Sequence, residues 1–193
     1  MSRRRLGLVG YGSLVLRESA SMTLRRPVRE LRPARLHDWR RRFSQRRDNL
    51  TCEKTFECNG GWRPEWILGL NIEEVEDERG PVNGVIIELS EAELDRLDIR
   101  EIRYDRVEVT DSVAGDDLPE RIVTYRAKAF HFAPEPPEGA VILRTYAEAV
   151  EKGFEALGTG ELEHYHATTP YPVDLVEAEL VVDRIPAGNP REW

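Results

Sequence analysis

Apolar and polar positions define a series of short elements. Leu6, Leu8 and Val9 read as a buried strand near the first residue. Gly10-Tyr11-Gly12-Ser13 then interrupts it. Arg17 to Thr23 is polar and predicts a loop or one helical turn. From Ala34 to Phe43, the apolar Leu36, Trp39 and Phe43 predict a strand whose charged outer face carries Arg40, Arg41 and Arg42. Residues 44–64 are rich in Ser, Arg, Asp, Asn and Gly and read as a long irregular stretch, of a kind that is often functional or mobile. Trp66 to Ile72 and Val82 to Leu89 read as strands joined by an acidic turn, Glu73 to Gly80.

A helix follows, with a clear start. Ser90 and Glu93 match the capping box S-x-x-E. Leu94 and Leu97 form its buried stripe, and helical spacing continues the stripe to Asp98 and Glu101. A carboxylate therefore falls where an apolar residue belongs, or just past the helix end. Tyr104 to Val113 alternates as a strand, Gly115 to Pro119 turns, and Ile122 to Phe132 is a long strand. After a proline-rich connector, Pro134 to Gly139, the segment Ala140 to Leu157 predicts the longest helix. Its buried face carries Leu143, Tyr146, Ala147, Val150 and Phe154, and Gly158 and Gly160 end it. Glu161 to Thr168 reads as a short helix, and the segment Tyr171 to Val182 ends in a last strand. About six strands with helices between and after them predict an α+β fold: a curved mixed β-sheet or small β-barrel with helices packed around it. The expectation is one domain over residues 1–193, with a short polar tail from about 185.

Charge refines the picture. The chain is 40% hydrophobic and 33% charged, with net charge −8, which suits a soluble globular protein and argues against general nucleic-acid binding. Residues 1–50 nevertheless carry 14 arginines against 4 acids, and residues 51–193 carry 14 basic residues against 32 acids. The arginine-rich third reads as a solvated face paired with the acidic remainder, with an RNA or anionic ligand as the competing reading. Arg3-Arg4-Arg5, an apolar run and Ser19-Ala20-Ser21 imitate a signal peptide, but the glycine-containing break interrupts the run. No apolar run reaches the roughly 18 residues of a membrane helix. Cys52 and Cys58, spaced C-x5-C, fit no zinc motif and read as reduced thiols. A cytoplasmic protein that binds neither membrane nor nucleic acid is expected. His164-x-His166 reads as part of a surface helix and His131 as structural. Ser13 lies in no G-x-S-x-G motif.

Two features carry candidate chemistry. Gly10 and Gly12 flank Tyr11 and leave main-chain N–H groups uncovered, so the loop reads either as a plain strand-end turn or as a concave donor site for an anion. Glu101 on an apolar stripe is costly to ionise, which raises its pKa and suits a general base and acid. The competing reading pairs it structurally with Arg100, Arg103 or Arg106.

In order along the chain, these pieces resemble a known family. Gly10-Tyr11-Gly12-Ser13-Leu14 after an N-terminal strand looks like the glycine loop of the γ-glutamylcyclotransferases, especially their ChaC-like and AIG2-like branch. Leu97-Asp98-Ile99-Arg100-Glu101, after Gly84 to Leu89 and before Tyr104 to Val107, looks like that family's L-D-x-x-E segment. Tyr146, seven residues before Gly153, is similar to the tyrosine of its late helix. Ile102 departs from the pattern, standing where many relatives have glycine. The resemblance covers roughly residues 6–155 and implies a small γ-glutamyl substrate cyclised to 5-oxoproline without metal, cofactor or water nucleophile. It implies Glu101 as the catalytic acid/base and Tyr11, Gly12, Ser13, Leu14, Tyr104 and Tyr146 as the substrate-binding set. A non-catalytic ligand-binding domain on the same fold is the alternative.

Overall fold

The computed structural model describes residues 5–75 and 81–191; Arg3, Arg4 and the latter part of the expected acidic turn lie outside the described residues. The elements in chain order are β1 (Leu6–Gly10), α1 (Arg17–Leu24), β2 (Arg32–Leu36), β3 (Trp39–Asp48), β4 (Lys54–Cys58), β5 (Trp66–Glu74), β6 (Val82–Leu89), α2 (Glu91–Arg100), β7 (Tyr104–Glu108) and β8 (Val113–Ala114). They continue with β9 (Arg121–Ala127), β10 (Ile142–Leu143), α3 (Arg144–Leu157), α4 (Glu161–Thr168), β11 (Leu175–Val176) and β12 (Ala178–Asp183).

Six strands form one mixed sheet in the order β7-β9-β1-β6-β2-β8. β1 lies inside it, antiparallel to β6 and parallel to β9. A strand with neighbours on both edges and cover on both faces must be apolar throughout, and all five residues of β1 are buried. β3 with β5 and β4 with β12 form separate two-stranded antiparallel ladders. Isolated bridges join Gln45 of β3 to Phe132 and Ile67 of β5 to Val141, on the connection between β9 and β10. The result is the expected α+β fold on a curled mixed sheet. Each fully buried Leu, Ile or Val of its core contributes about 1.5–3 kcal/mol.

Two glycines allow close approaches that set the architecture around β1. A Cβ on Gly84 of β6 would lie 2.4 Å from the Gly10 carbonyl oxygen, so only glycine lets β6 run so close to the end of β1. A Cβ on Gly153 of α3 would lie 2.6 Å from Val15 Cγ2 and 2.8 Å from the Leu16 nitrogen, so α3 rests directly on the segment after β1.

Sequence patterning located most elements and missed several boundaries. Val82–Leu89 and Glu161–Thr168 form as expected, and α2 starts with the full Ser90/Glu93 capping box. Arg17–Leu24 is a two-turn helix rather than a loop or single turn, held by burial of Ala20, Thr23 and Leu24. The strand expected over 34–43 is two strands, broken at Asp38, whose φ of 66° turns the chain. The stretch 44–64 is far from irregular. β3 continues to Asp48, and Asn49 bonds to the carbonyls of Phe56 and Pro64 so that β4 can form. The strands expected to Val113 and Phe132 stop at Glu108 and Ala127 and give way to 3₁₀ turns. The long helix begins at Arg144, because Ile142 and Leu143 pair with β11 instead. The segment from Tyr171 ends in a strand as expected, β12, with the short β11 before it, whereas Glu73 and Glu74 end β5 rather than open a turn.

The expected solvated triplet is overturned at its centre. Arg40 pairs with Glu73 at 2.6 Å and Arg42 lies 3.7 Å from the same carboxylate. Arg41 is 1% exposed. Strand alternation explains it: Arg41 shares a face with Trp39 and Phe43, and that face is the core. Its Nη1 donates to the carbonyls of Asn83 (2.7 Å) and Tyr11 (3.1 Å), Nη2 to Asn83 Oδ1 (2.8 Å) and Nε to Thr169 Oγ1 (2.9 Å). The guanidinium carbon lies 4.8 Å from the Phe154 ring centroid and 4.6 Å from that of Tyr165. Burial lowers its pKa to about 10, so it stays charged at neutral pH.

Removing this fork strands several buried acceptors at once. Arg41→Met is expected to lower unfolding free energy by about 3–5 kcal/mol. Arg41→Lys is expected to be nearly as damaging, since one ammonium cannot reproduce a planar fork. Arg40→Ala should cost about 0–1 kcal/mol. Urea unfolding of the three variants checks this; an Arg41→Met protein as stable as Arg40→Ala would contradict it.

Candidate functional site

A cavity of about 530 Å³ opens beside the end of β1. Every residue of the expected site lines it: Tyr11, Gly12, Ser13, Leu14, Glu101, Tyr104 and Tyr146. Three mechanisms bring them together.

The first is the turn after β1. Ser13–Val15 forms a 3₁₀ turn in which Val15 N–H bonds to the Gly12 carbonyl and Leu16 N–H to Ser13. The start of such a turn leaves N–H groups without internal acceptors. Among the described residues, the N–H groups of Gly12, Ser13 and Leu14 donate to no protein acceptor. The Tyr11 hydroxyl donates to the Tyr125 carbonyl at 2.6 Å and the Tyr11 carbonyl accepts from Arg41, so both ends of this residue are fixed.

The second mechanism is the end of α2. Glu101 is the C-cap, just past the last helical residue. Its side chain is 17% exposed, and its Oε1 accepts from Arg100 Nη1 at 2.7 Å. Arg100 Nη2 reaches across to donate to Ser13 Oγ at 3.0 Å. One 1%-exposed guanidinium thus ties the carboxylate to the turn. Glu101 Oε2 receives no hydrogen bond among the described residues. Burial raises the Glu101 pKa; the charges of Arg100 and Arg103 oppose the shift without cancelling it. Asp98, the other expected stripe position, is 40% exposed and serves Tyr125 and Arg106 outside the core.

The third mechanism is a β-bulge. The β3–β5 register slips between Arg42 and Gln45, which takes Leu70 out of the ladder. Its backbone groups meet two tyrosines instead. Tyr104 donates to the Leu70 carbonyl at 2.8 Å, and the Leu70 N–H lies 3.4 Å from the Tyr146 hydroxyl. That hydroxyl sits over Gly12, 3.3 Å from where a Cβ would be. Burial raises the pKa of Tyr11, Tyr104 and Tyr146, and the Glu101 charge adds to each shift, so all three keep their protons at neutral pH.

The competing reading of Glu101 names Arg100 as a partner, and that pair forms; the second bond of Arg100, across to Ser13, has no sign in the sequence. Stepping three residues from Leu97 lands on Arg100, where the pattern had been continued to Asp98 and Glu101. Sequence reasoning missed Arg47, Glu53 and Arg191, which line the cavity together with Arg103 and had no motif to mark them. The tail from Ile185, expected only to be polar, contributes Ile185 and Arg191 to the wall. Elsewhere, His164 bonds to the Pro81 carbonyl, and no cluster of three His, Cys, Asp or Glu suited to a metal occurs among the described residues. No helix among the described residues is long and apolar enough to cross a membrane. Cys52 and Cys58 are free thiols. Several arginines of the first third are ion-paired, among them Arg5 with Asp117, Arg32 with Glu88 and Arg35 with Glu161.

The fold is shared with solved structures at low identity. A γ-glutamyl cyclotransferase superposes with a TM-score of 0.59 and 19% identity, over 86% of this chain and 89% of that one. An uncharacterized human protein gives 0.60 and 20%, over 88% and 90%. YkqA from Bacillus subtilis gives 0.54 and 15%, over 84% of this chain and 53% of its own. No protein-family model and no curated protein matches the sequence. The resemblance read from the two motifs therefore holds at the level of fold.

The raised Glu101 pKa has a thermodynamic signature. The folded protein holds this proton more tightly than the unfolded chain. Stability from this group is therefore fully present below the ordinary carboxylate pKa and is lost as pH rises through the raised value. The melting temperature of the native protein relative to Glu101→Gln is expected to fall across that window. A difference that is flat, or that grows with pH, would show an unshifted or lowered carboxyl.

Proposed function

We propose that the chain is a γ-glutamylcyclotransferase-like enzyme that cyclises the γ-glutamyl group of a small γ-glutamyl peptide or amine to 5-oxoproline and releases the amine. The observation that carries the reading is the meeting, in one cavity, of a buried carboxylate of raised pKa with three unsatisfied main-chain N–H groups. The shared fold agrees with it.

The chemistry asks for little else. The α-amine of the glutamyl group is the nucleophile. It attacks the γ-carbonyl carbon; a new C–N bond closes the ring and the old γ-amide C–N bond breaks. Holding the two ends folded together is worth up to about 7–11 kcal/mol in ideal intramolecular cases. Glu101, through Oε2, takes a proton from the α-ammonium and returns one to the leaving nitrogen. Arg100 holds Oε1 and fixes the orientation of the carboxylate. The N–H groups of Gly12, Ser13 and Leu14 hold the substrate carboxylate or the oxyanion that develops at the γ-carbonyl. Tyr104 and Tyr146, anchored on Leu70, form the wall against which the glutamyl chain folds, with the Tyr11 ring beside them.

Glu101→Gln keeps the side-chain shape and removes its basicity. Turnover of γ-glutamyl compounds, followed as 5-oxoproline by mass spectrometry, is expected to fall about 10²–10⁴-fold. Ligand affinity should hold within a few-fold. Undiminished 5-oxoproline production would remove Glu101 from the mechanism. Tight binding of γ-glutamyl compounds by the native protein, without any turnover, would favour the ligand-binding alternative.

A further inference from the structure

The apolar anchoring of α2 stops one turn short of Glu101. Leu94 and Leu97 are buried, but the apolar residues that follow, Ile99 and Ile102, are exposed. A helix end without buried apolar side chains frays. Polar ties hold the last turn of α2 instead. One is Arg100, which reaches Ser13 through a long side chain. The other is Asp98, three residues before Glu101. Its Oδ1 accepts from the Tyr125 hydroxyl at 2.7 Å and its Oδ2 from Arg106 at 3.1 Å.

The two bonds of Asp98 differ in kind. Its pair with Arg106 is partly exposed on both sides, and such pairs hold little. Tyr125 is buried on β9, between β7 and β1 in the sheet. Burial and the Asp98 carboxylate keep its hydroxyl protonated, so it donates. A phenol bonded to a carboxylate makes a short, charge-assisted and directional contact. Tyr125 also lines the cavity, and its carbonyl accepts from the Tyr11 hydroxyl. Two routes therefore join the end of α2 to the turn after β1. One runs from Arg100 to Ser13, the other from Asp98 through Tyr125 to Tyr11. With the short chain segments Tyr11 to Ser13 and Asp98 to Arg100, they close a ring. A closed ring fixes rotation as well as distance, which a single flexible tie leaves free.

We propose that Asp98 and Tyr125 are positioning residues: their hydrogen bond fixes the last turn of α2 so that Glu101 faces the N–H groups of Gly12 to Leu14. The effect on turnover rests on the cyclisation reading above; the effect on the setting of Glu101 does not.

Tyr125→Phe deletes the donor and Asp98→Ala the acceptor. Each is expected to lower kcat for 5-oxoproline formation about 10–100-fold, the scale of loss when a catalytic group is slightly misplaced. KM should stay within about threefold of native, since the glycine turn is untouched. The double variant should lose no more than the worse single one, because both remove the same bond. Asp98→Asn keeps an acceptor for the tyrosine and gives up the charge facing Arg106, so it should recover most of the lost kcat.

A second readout needs no turnover. The melting temperature of a protein relative to its Glu101→Gln counterpart falls with pH while Glu101 is buried. Arg100, Arg103, Tyr11, Tyr104, Tyr125 and Tyr146 face that carboxyl. Whichever of them a background retains is common to both members of each pair, so the difference isolates residue 101. In the Tyr125→Phe background the fall should shrink, because a loosened turn admits water and brings the Glu101 pKa back towards the ordinary range. Were Tyr125→Phe to misfold, Asp98→Ala takes its place, its site being partly exposed. Native kcat in both single variants would overturn the proposal. So would losses that multiply in the double variant, or an Asp98→Asn protein no better than Asp98→Ala. If the native protein forms no 5-oxoproline, the cyclisation reading falls and the melting comparison decides alone: a smaller fall keeps the positioning role, and an equal fall removes it.

Discussion

The buried fork of Arg41 holds the site in place. It joins the Tyr11 carbonyl at the end of β1, Asn83 on β6, Thr169 after α4 and the stacked rings of Phe154 and Tyr165. Elements distant in sequence thus meet at one cation without a carboxylate in direct contact. Asn83 passes its own amide on to Glu161, which places the nearest negative charge one step away. A charge this deep is tolerated only when its donors are nearly all used, and four hydrogen bonds engage the guanidinium. The consequence for the cavity is direct. With its carbonyl pinned by Arg41 and its hydroxyl by Tyr125, Tyr11 cannot rotate, and the N–H groups that follow it keep their aim.

A second guanidinium repeats the device on the other side. Arg100 spans from Glu101 to Ser13 and couples the end of α2 to the same turn. The arrangement has two opposed effects. Burial makes the carboxylate basic, and the arginine moderates that basicity while fixing one oxygen. A group meant to take and return a proton needs both, because a fully ion-paired carboxylate is too weak a base and an unrestrained one has no fixed direction. The bulge at Leu70 adds the third fixed wall, since backbone groups taken out of the ladder become anchors for Tyr104 and Tyr146.

How much of this is legible in the sequence depends on the range of the forces involved. The apolar run of β1, the capping box of α2 and the helix over residues 161–168 follow from local pattern. Glu101 and the glycine turn are visible because each violates a local rule, a carboxylate on an apolar stripe and a strand broken by Gly-Tyr-Gly. Arg41 obeyed the alternation of its strand, yet three consecutive arginines suggested solvent, and only its partners from four other elements make its burial tolerable. The β-bulge, the pairing of Ile142 and Leu143 with β11, and the return of the tail to Glu53 are long-range events without a local sign. Arg47, Arg103 and Arg191 reach the cavity in the same way, from β3, the turn after α2 and the tail.

In the proposed reaction, Glu101 and the turn at residues 12–14 act on the two ends of one folded γ-glutamyl group. A crystal structure of Glu101→Gln protein with a bound γ-glutamyl amino acid tests it most directly. The α-nitrogen of the ligand is expected within about 2.6–3.2 Å of the residue 101 side chain, with a carboxylate or γ-carbonyl oxygen against the N–H groups of Gly12 to Leu14. A ligand bound outside this cavity, or with its α-nitrogen turned away from residue 101, would contradict it.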